Sequence, residues 1–538
     1  MAVENLITEH IDIWTSTVKT KSTSGRGSSK KLELYGVKKL RELILELAVR
    51  GKLVPQDPSD EPASVLLERI AQEKAQLVKK KKIKKPRKYE PIDDNSLPFN
   101  IPSSWKWARI EDLGHDLGQK KPDKTFTYVD VGSINKELGY IDEPSILEHS
   151  EAPSRARKLV QKNTVIYSTV RPYLLNIAVI DRDFNPEPIA STAFAIIHPL
   201  SGISSSYIYR YLRSPSFIEY VESVQTGIAY PAINDKQFFF GLIPVPPSAE
   251  QHRIIAKVDE LMALCDQLEQ QTEASIEAHQ VLVTTLLDTL THSADANELM
   301  QNWARISEHF DTLFTTEESI DQLKQTILQL AVMGKLVHFG ADPMEAYVKD
   351  VSSFGPRNGL SPKEVQVDTG IKVLKLGATS YGSLNLDESK SVDVDIEKTS
   401  HLWLKKGDIL IQRGNSANYV GCNCLVKEDV CDVIYPDLMM KIRPSKTVSS
   451  EFLSTWLSSP MAREFMWTRM TGTSGTMPKI SKKVVEAIPI IVPSRKIQDI
   501  IVSKVEELFS ICELLKQLIS ETQQTQSQLT DTIVEQAV

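Results

Sequence analysis

Residues Ala48-Val49-Arg50-Gly51-Lys52-Leu53-Val54 return, 283 positions later, as Ala331-Val332-Met333-Gly334-Lys335-Leu336-Val337. Ahead of each block runs the same apolar row, Leu40, Ile44 and Leu47 in the first and Leu323, Ile327 and Leu330 in the second. Spacings of three and four place each row on one helix face, and the glycine that follows is a helix stop. The chain is written twice. Upstream, Ile7-Thr8-Glu9-His10-Ile11-Asp12 matches Ile306-Ser307-Glu308-His309-Phe310-Asp311. Downstream, Tyr211-Leu212-Arg213-Ser214-Pro215 matches Trp456-Leu457-Ser458-Ser459-Pro460, and Thr226-Gly227 matches Thr471-Gly472. Pro231-Ala232-Ile233 then matches Pro478-Lys479-Ile480, and Ile243-Pro244 matches Ile488-Pro489.

A last block, Val258, Leu261, Cys265 and Leu268, repeats as Val505, Leu508, Cys512 and Leu515. Its alternating spacing of three and four marks a coiled-coil seam, in which Cys265 and Cys512 act as small apolar residues. The copies differ by two insertions in the first half. One, Lys21–Ser29, is rich in Gly and Ser and has the composition of a flexible connector. The other contains the lysine-rich run Lys79–Lys88, which reads as a solvated linker or, alternatively, as a non-specific phosphate contact. Helices are expected over roughly 34–78, 249–290, 317–333 and 495–535. The regions between them hold short β-branched runs such as Thr164-Val165-Ile166-Tyr167 and Asp408-Ile409-Leu410-Ile411. The expected class is α+β, with two globular domains in pseudo-two-fold repeat, separated by long antiparallel coiled-coil helices. The expected boundaries are a helical region with both linkers over 1–100, a domain over 101–248, a helical spacer over 249–340, a domain over 341–494, and a coiled-coil helix over 495–538.

The 538 residues, 41% hydrophobic and 25% charged, have enough apolar material for several cores and exclude global disorder. No stretch has the uncharged apolar length of a bilayer span, and the first residues lack a basic start and apolar core for export, so a cytosolic protein without a membrane partner is expected. Five scattered cysteines do not form a disulfide framework. Cys422, Cys424 and Cys431 lack a nearby fourth zinc ligand and are expected to be buried together. His10 and His309 are expected to be packed helix residues. A net charge of −7 excludes a basic coat over the whole molecule and confines phosphate binding to local patches.

Motifs for catalysis are missing. No Gly-x-x-x-x-Gly-Lys-Ser/Thr loop occurs, since Gly334-Lys335 ends a helix. Asn185-Pro186-Glu187-Pro188 lacks the adjacent second proline and the aromatic of an adenine methyltransferase motif. Glu388-Ser389-Lys390 is too common a triplet to mark a nuclease. The positive signal is electrostatic. From Ala152 to Ile180 there are five bases, Arg155, Arg157, Lys158, Lys162 and Arg171, and no acid. From Lys398 to Lys427 there are again five, among them Lys405, Lys406 and Arg413, against Asp408 alone. Matched basic stretches in the two domains point to a phosphate-facing side. Arg469, Thr473, Ser474 and Lys479 add a polar loop in the second domain. Asn415, and in the first domain Gln225, Thr226 and Lys236, complete the candidate set. No residue is expected to be catalytic or to bind metal.

The paired Ala-Val-x-Gly-Lys-Leu-Val helices, and the paired Ile-Pro strands leading through Pro247-Ser248 and Pro493-Ser494 into long helices, resemble the DNA specificity subunit of type I restriction-modification systems. The resemblance covers essentially the whole chain. It implies a non-catalytic subunit whose two target-recognition domains each bind one half of a split, asymmetric site in double-stranded DNA. It also implies partners: two methyltransferase subunits that use S-adenosylmethionine, and restriction subunits that use ATP and Mg. This chain would bind none of these cofactors. A coiled-coil scaffold that binds protein, or a nuclease with an unfamiliar site, are the readings from other classes.

Overall fold

The computed structural model describes residues 3–21, 31–87, 89–380, 382–472 and 477–538. Most of the Gly/Ser-rich connector, together with Lys88, Thr473 and Ser474, lies outside the described residues. The chain divides into two compact units, one of residues 1–19, 33–272 and 526–538, the other of 20–32 and 273–525.

Each unit holds one α+β domain, and the two domains share a topology. In the first, the main sheet runs in the order Ile177–Val179, Val165–Ser168, Phe194–Pro199, Gly114–His115, with all neighbours antiparallel. In the second the order is Asn423–Leu425, Ile409–Gln412, Met439–Pro444, Ser352–Asn358, again antiparallel throughout. Both central strands, Val165–Ser168 and Ile409–Gln412, are buried at every position, which is why they read as unbroken apolar runs rather than as alternation. A smaller sheet follows the same rule. Phe126–Val129 pairs antiparallel with Ser145–Leu147 and parallel with Pro188–Ser191. Lys372–Leu374 does so with Ser389–Ser391 and Val433–Ile434. The fourth strand of the first domain, Ala156–Leu159, is reduced in the second to one bridge, Trp403 to Ile434.

A two-stranded ribbon leads from each domain to its long helix: Lys106–Arg109 with Leu242–Val245, and Met344–Tyr347 with Pro489–Val492. The Tyr211 hydroxyl donates to the carbonyl of Leu242, and Trp456 Nε1 donates to that of Pro489 at 2.9 Å. Leu242 and Pro489 are therefore equivalent, and the sequence match of Ile243-Pro244 with Ile488-Pro489 is two residues out of register. Proline was the misleading signal, because it can open a strand or occupy the edge of a ribbon.

The repeated motifs have structural duties. Ser214 and Ser459 cap helices Pro215–Val224 and Pro460–Trp467, with proline at the first helical position of each. The Glu46 carboxylate accepts from the amide of Ser216 at 3.1 Å, and Gln329 Oε1 accepts from that of Met461 at 3.0 Å, so each repeated helix docks on a helix N-terminus. Lys52 Nζ donates to the carbonyl of Val538, and Lys335 Nζ to those of Thr291 and Ser293 at 2.6 and 2.8 Å. The lysine of the Gly-Lys pair thus supplies positive charge where a long helix ends.

The long helices are Ser248–His292 and Arg495–Ala537. Each unit takes the N-terminal part of one and the C-terminal part of the other. In the first unit Val258, Leu261 and Cys265 are buried and Leu268 is half-buried. Arg41 reaches Asp266 and Glu269 at 2.7 Å each. In the second unit Val505 and Cys512 lie in one core with Val283, Leu287, Leu290 and the helix Glu317–Val332, with Leu508 and Leu515 half-buried against it. There Lys324 pairs with Glu513 at 2.6 Å and Lys516 with Asp321 at 2.5 Å. Burial pushes the Cys265 thiol up to about 11 and raises that of Cys512, which disfavours the reactive thiolate in both.

A buried glutamine ties each domain to its long helix. Gln251 accepts from the amide of Ser204 at 2.9 Å and donates to the carbonyls of Gly202 and Pro246. Gln498 accepts from Ser449 at 2.9 Å and donates to Thr447 and Pro493.

Two expectations are corrected. His10 and His309 are not packed helix residues. Each breaks a helix in the same conformation, φ −119° and ψ 22° for His10 and φ −118° and ψ 21° for His309, and each carbonyl accepts the first amides of the next helix. Nor are the three clustered cysteines buried together: Cys424 is buried, Cys422 is half-buried beneath Arg463, and Cys431 is exposed on a loop.

Candidate nucleic-acid interface

One construction recurs at the end of each central strand. In the first domain the chain leaves Val165–Ser168 and meets a hairpin closed by Thr226 and Ala232, whose amides and carbonyls exchange hydrogen bonds of 2.9 Å. Ile233 N–H donates to Thr169 at 3.0 Å and Arg171 N–H to Pro231 at 2.8 Å. In the second domain the chain leaves Ile409–Gln412 and meets a hairpin closed by Thr471 and Lys479 at 2.9 and 2.8 Å. Ile480 N–H donates to Arg413 at 2.8 Å and Asn415 N–H to Pro478 at 3.4 Å. These bonds make Thr169 equivalent to Arg413, Val170 to Gly414, Arg171 to Asn415 and Ala232 to Lys479. Arg171 and Arg413, one from each basic stretch, therefore occupy different positions.

Arg171 adopts a left-handed conformation, φ 49° and ψ 59°, and its guanidinium lies 4.8 Å from the centre of the Tyr230 ring. Thr226 is exposed on the hairpin, and Gln225, which ends helix Pro215–Val224, leaves its Oε1 buried without a partner. The turn at 192–193 joins Arg155 to this end of the domain. Thr192 N–H donates to the carbonyl of Arg155 and Thr169 N–H to that of Ala193, both at 2.9 Å. Lys236 is exposed in the first turn of helix Asp235–Phe240.

In the second domain Arg413 is half-buried, with Nε unpartnered, and Asn415 donates to Gln412 Oε1 at 2.7 Å. Lys479 is exposed, and Arg469 stacks 3.8 Å over the Phe465 ring.

The basic stretches are not single faces. Arg157 and Lys158 lie on Ala156–Leu159 in the smaller sheet. Lys158 is buried and used internally: its ammonium donates to the carbonyl of Phe194 at 2.5 Å and pairs with Asp235 at 3.2 Å. Arg157 is half-buried and donates to the carbonyl of Ala156 at 2.7 Å. Lys162 is exposed in the turn that enters the central strand, opposite the end that carries Arg171. Lys405 and Lys406 lie in the equivalent turn, and Lys406, Lys427, Arg443 and Arg495 line a cavity of about 570 Å³.

Asp408, the one acid counted in the second stretch, is fully buried, where it pairs with Arg443 at 2.5 Å and Lys441 at 3.1 Å. Burial holds the Lys441 ammonium below its ordinary value, against the pull of Asp408. Neither cation belongs to the stretch itself, so counting charges along the sequence could not reveal the pairing.

Sequence reasoning missed the exposed apolar side chains at the first hairpin, Val170, Tyr173, Leu174, Ile228 and Tyr230. Their signal was present: large apolar residues between Gly227 and Pro231, in a turn too short to reach a core. Among the described residues no group of three or more His, Cys, Asp or Glu side chains could hold a metal ion, and no helix is long and apolar enough to cross a membrane.

Comparison with known proteins matches residues 102–278 and 345–524 to the type I restriction modification DNA specificity domain. The chain is 35% identical to the type I restriction enzyme EcoEI specificity subunit and 36% identical to the EcoAI specificity subunit, both of Escherichia coli, over 100% of each chain. A chain solved in a structural study of complex assembly and conformational transition of the type I R-M system shares its fold. It has a TM-score of 0.53 and 22% identity over 82% of this chain and 99% of that one. With both domains matched by the family and full-length relatives above one third identity, the chain belongs to the DNA specificity subunits of type I restriction-modification systems.

Proposed function

We propose that residues 101–248 and 341–494 are target-recognition domains, each reading one half of a split, asymmetric site in double-stranded DNA. The observation that carries this reading is the hairpin docked on the end of each central strand. It presents Arg171 in one domain and Arg413, Asn415 and Lys479 in the other. Cations and amides on a rigid turn are suited to phosphates and base edges. The helical regions 1–100, 249–340 and 495–538 fix the spacer between half-sites and dock two methyltransferase subunits. Those partners methylate adenines with S-adenosylmethionine, and restriction subunits supply ATP- and Mg-dependent cleavage, all in the cytoplasm. The specificity subunit itself is non-catalytic.

The test is to exchange residues 101–248 for the first domain of another family member, assemble the methyltransferase complex and map methylated adenines across a host genome. One half-site should change while the other half-site and the spacer stay. A change in both half-sites, or in neither, removes the reading.

A further inference from the structure

We propose that the first domain holds the bases of its half-site through an apolar patch, whereas the second carries cations and an amide at positions flanking the equivalent site; this rests on the function proposed above and adds how each domain grips its bases. The patch comprises Val170, Tyr173 and Leu174 after the central strand, and Ile228 and Tyr230 on the hairpin. Ile228 is fully exposed, Tyr230 is 68% exposed and Tyr173 54%. Bridges from Ala232 to both Val170 and Thr226 bind together the two segments that carry these five side chains. All five are exposed rather than packed in the interior.

The backbone holds this surface outward. Arg171 and Leu175 both adopt left-handed conformations, φ 49° and φ 52°, on either side of the turn Pro172–Leu174. Two non-glycine residues in that region within five positions is strain of the kind found at binding sites. Arg171 lies over Tyr230, so its charge sits against the patch rather than apart from it.

Around the patch the two domains differ, although Met477, which stands where the first domain has Tyr230, is itself exposed and apolar. Arg413 replaces Thr169, Asn415 replaces Arg171, and Lys479 replaces Ala232. The apolar groups that duplex DNA offers are the methyl of thymine and, where a step is unstacked or a base flipped out, base faces, whereas its backbone offers only charge and sugar. A patch of isoleucine and tyrosine at this place therefore faces bases, and the second domain, with two cations to one, is the more phosphate-bound half.

The experiment uses the assembled methyltransferase complex and a duplex carrying its mapped site, with affinity measured against salt. Replacing both Ile228→Ser and Tyr230→Ala, at exposed positions, should weaken binding about tenfold. The log–log salt slope should be unchanged, and discrimination should be lost in the first half-site alone. Lys479→Ala should lower the slope by about one unit. Uracil in place of thymine in the first half-site separates the two apolar sources: weaker binding assigns the contact to the methyl, unchanged binding to the base face. A wild-type complex with no sequence preference would overturn the functional reading. A wild-type complex that binds its site specifically, while the Ile228→Ser, Tyr230→Ala variant equals it at every salt or loses slope instead of affinity, overturns this inference alone.

Discussion

At the start of the two central strands the same backbone rests on different chemistry. In the first domain Thr164 Oγ1 accepts from the amide of Gln161 and contacts His198 Nδ1, both at 3.1 Å. In the second, Asp408 accepts from the amide of Lys405 at 2.9 Å and pairs with Arg443, the residue equivalent to His198, and with Lys441, which stands where the first domain has Ile196. A neutral contact and an ion triad with two buried members, Asp408 and Lys441, support one topology. The strand order is set by which positions are buried and by the ladder, so the groups beneath are free to differ provided each is satisfied.

The largest test of that comparison is Asp408→Asn. It leaves the Lys441 ammonium buried with a weakened partner set and should cost about 3–5 kcal/mol in denaturant unfolding. Thr164→Val should cost only about 1 kcal/mol. Equal losses would mean that the ion triad is not a stronger commitment than the neutral contact.

The glutamine clamps make the opposite claim, that the copies are alike. Gln251→Leu and Gln498→Leu each remove three hydrogen bonds and leave an amide, that of half-buried Ser204 or of buried Ser449, unpaired. About 2–3 kcal/mol should be lost in either case. A large loss from one variant and none from the other would break the equivalence of the two domain–helix junctions.

The smallest effect is one of pH. Burial, and His115 beside it, hold the His198 ring below its ordinary value of 6.5. Between that lowered value and 6.5 the unfolded chain binds more protons than the folded one. Stability is therefore full above about 6.5 and falls as acid takes the solution down through the folded value. His198→Gln should flatten that part of the stability profile. Asp408 and Arg443 supply no histidine at the matching place, so an unaltered profile in the variant would locate the acid sensitivity elsewhere.

Much of this architecture was legible because repetition is a long-range signal. A motif that recurs with its flanking apolar row identifies helix, stop and partner together, which is how the paired helices and the seam at Val258 and Val505 were found. The interface was less legible. Lys158 shares its sequence stretch with Arg155, yet alternation along Ala156–Leu159 turns it into the domain, where Asp235 meets it. Arg171 and Arg413 fall in matched stretches but two positions apart, because equivalence is decided by cross-strand hydrogen bonds that a sequence does not display. Gln251 and Gln498 were overlooked for a related reason, since a polar residue early in a helix reads as solvent-facing until its three partners are known.

The contact between Thr17 and Thr530, 3.1 Å between two buried hydroxyls, has a consequence for synthesis. With Tyr35 to Asp531 at 2.6 Å and Lys52 to Val538, it makes residues 526–538 part of the first unit, although the whole of 273–525 precedes them on the ribosome. The second unit can close on its own helices as soon as they emerge. The unit that is begun first is completed last, and until then the docking face beneath Tyr35 stays open to water and to whatever chaperone attends the nascent chain.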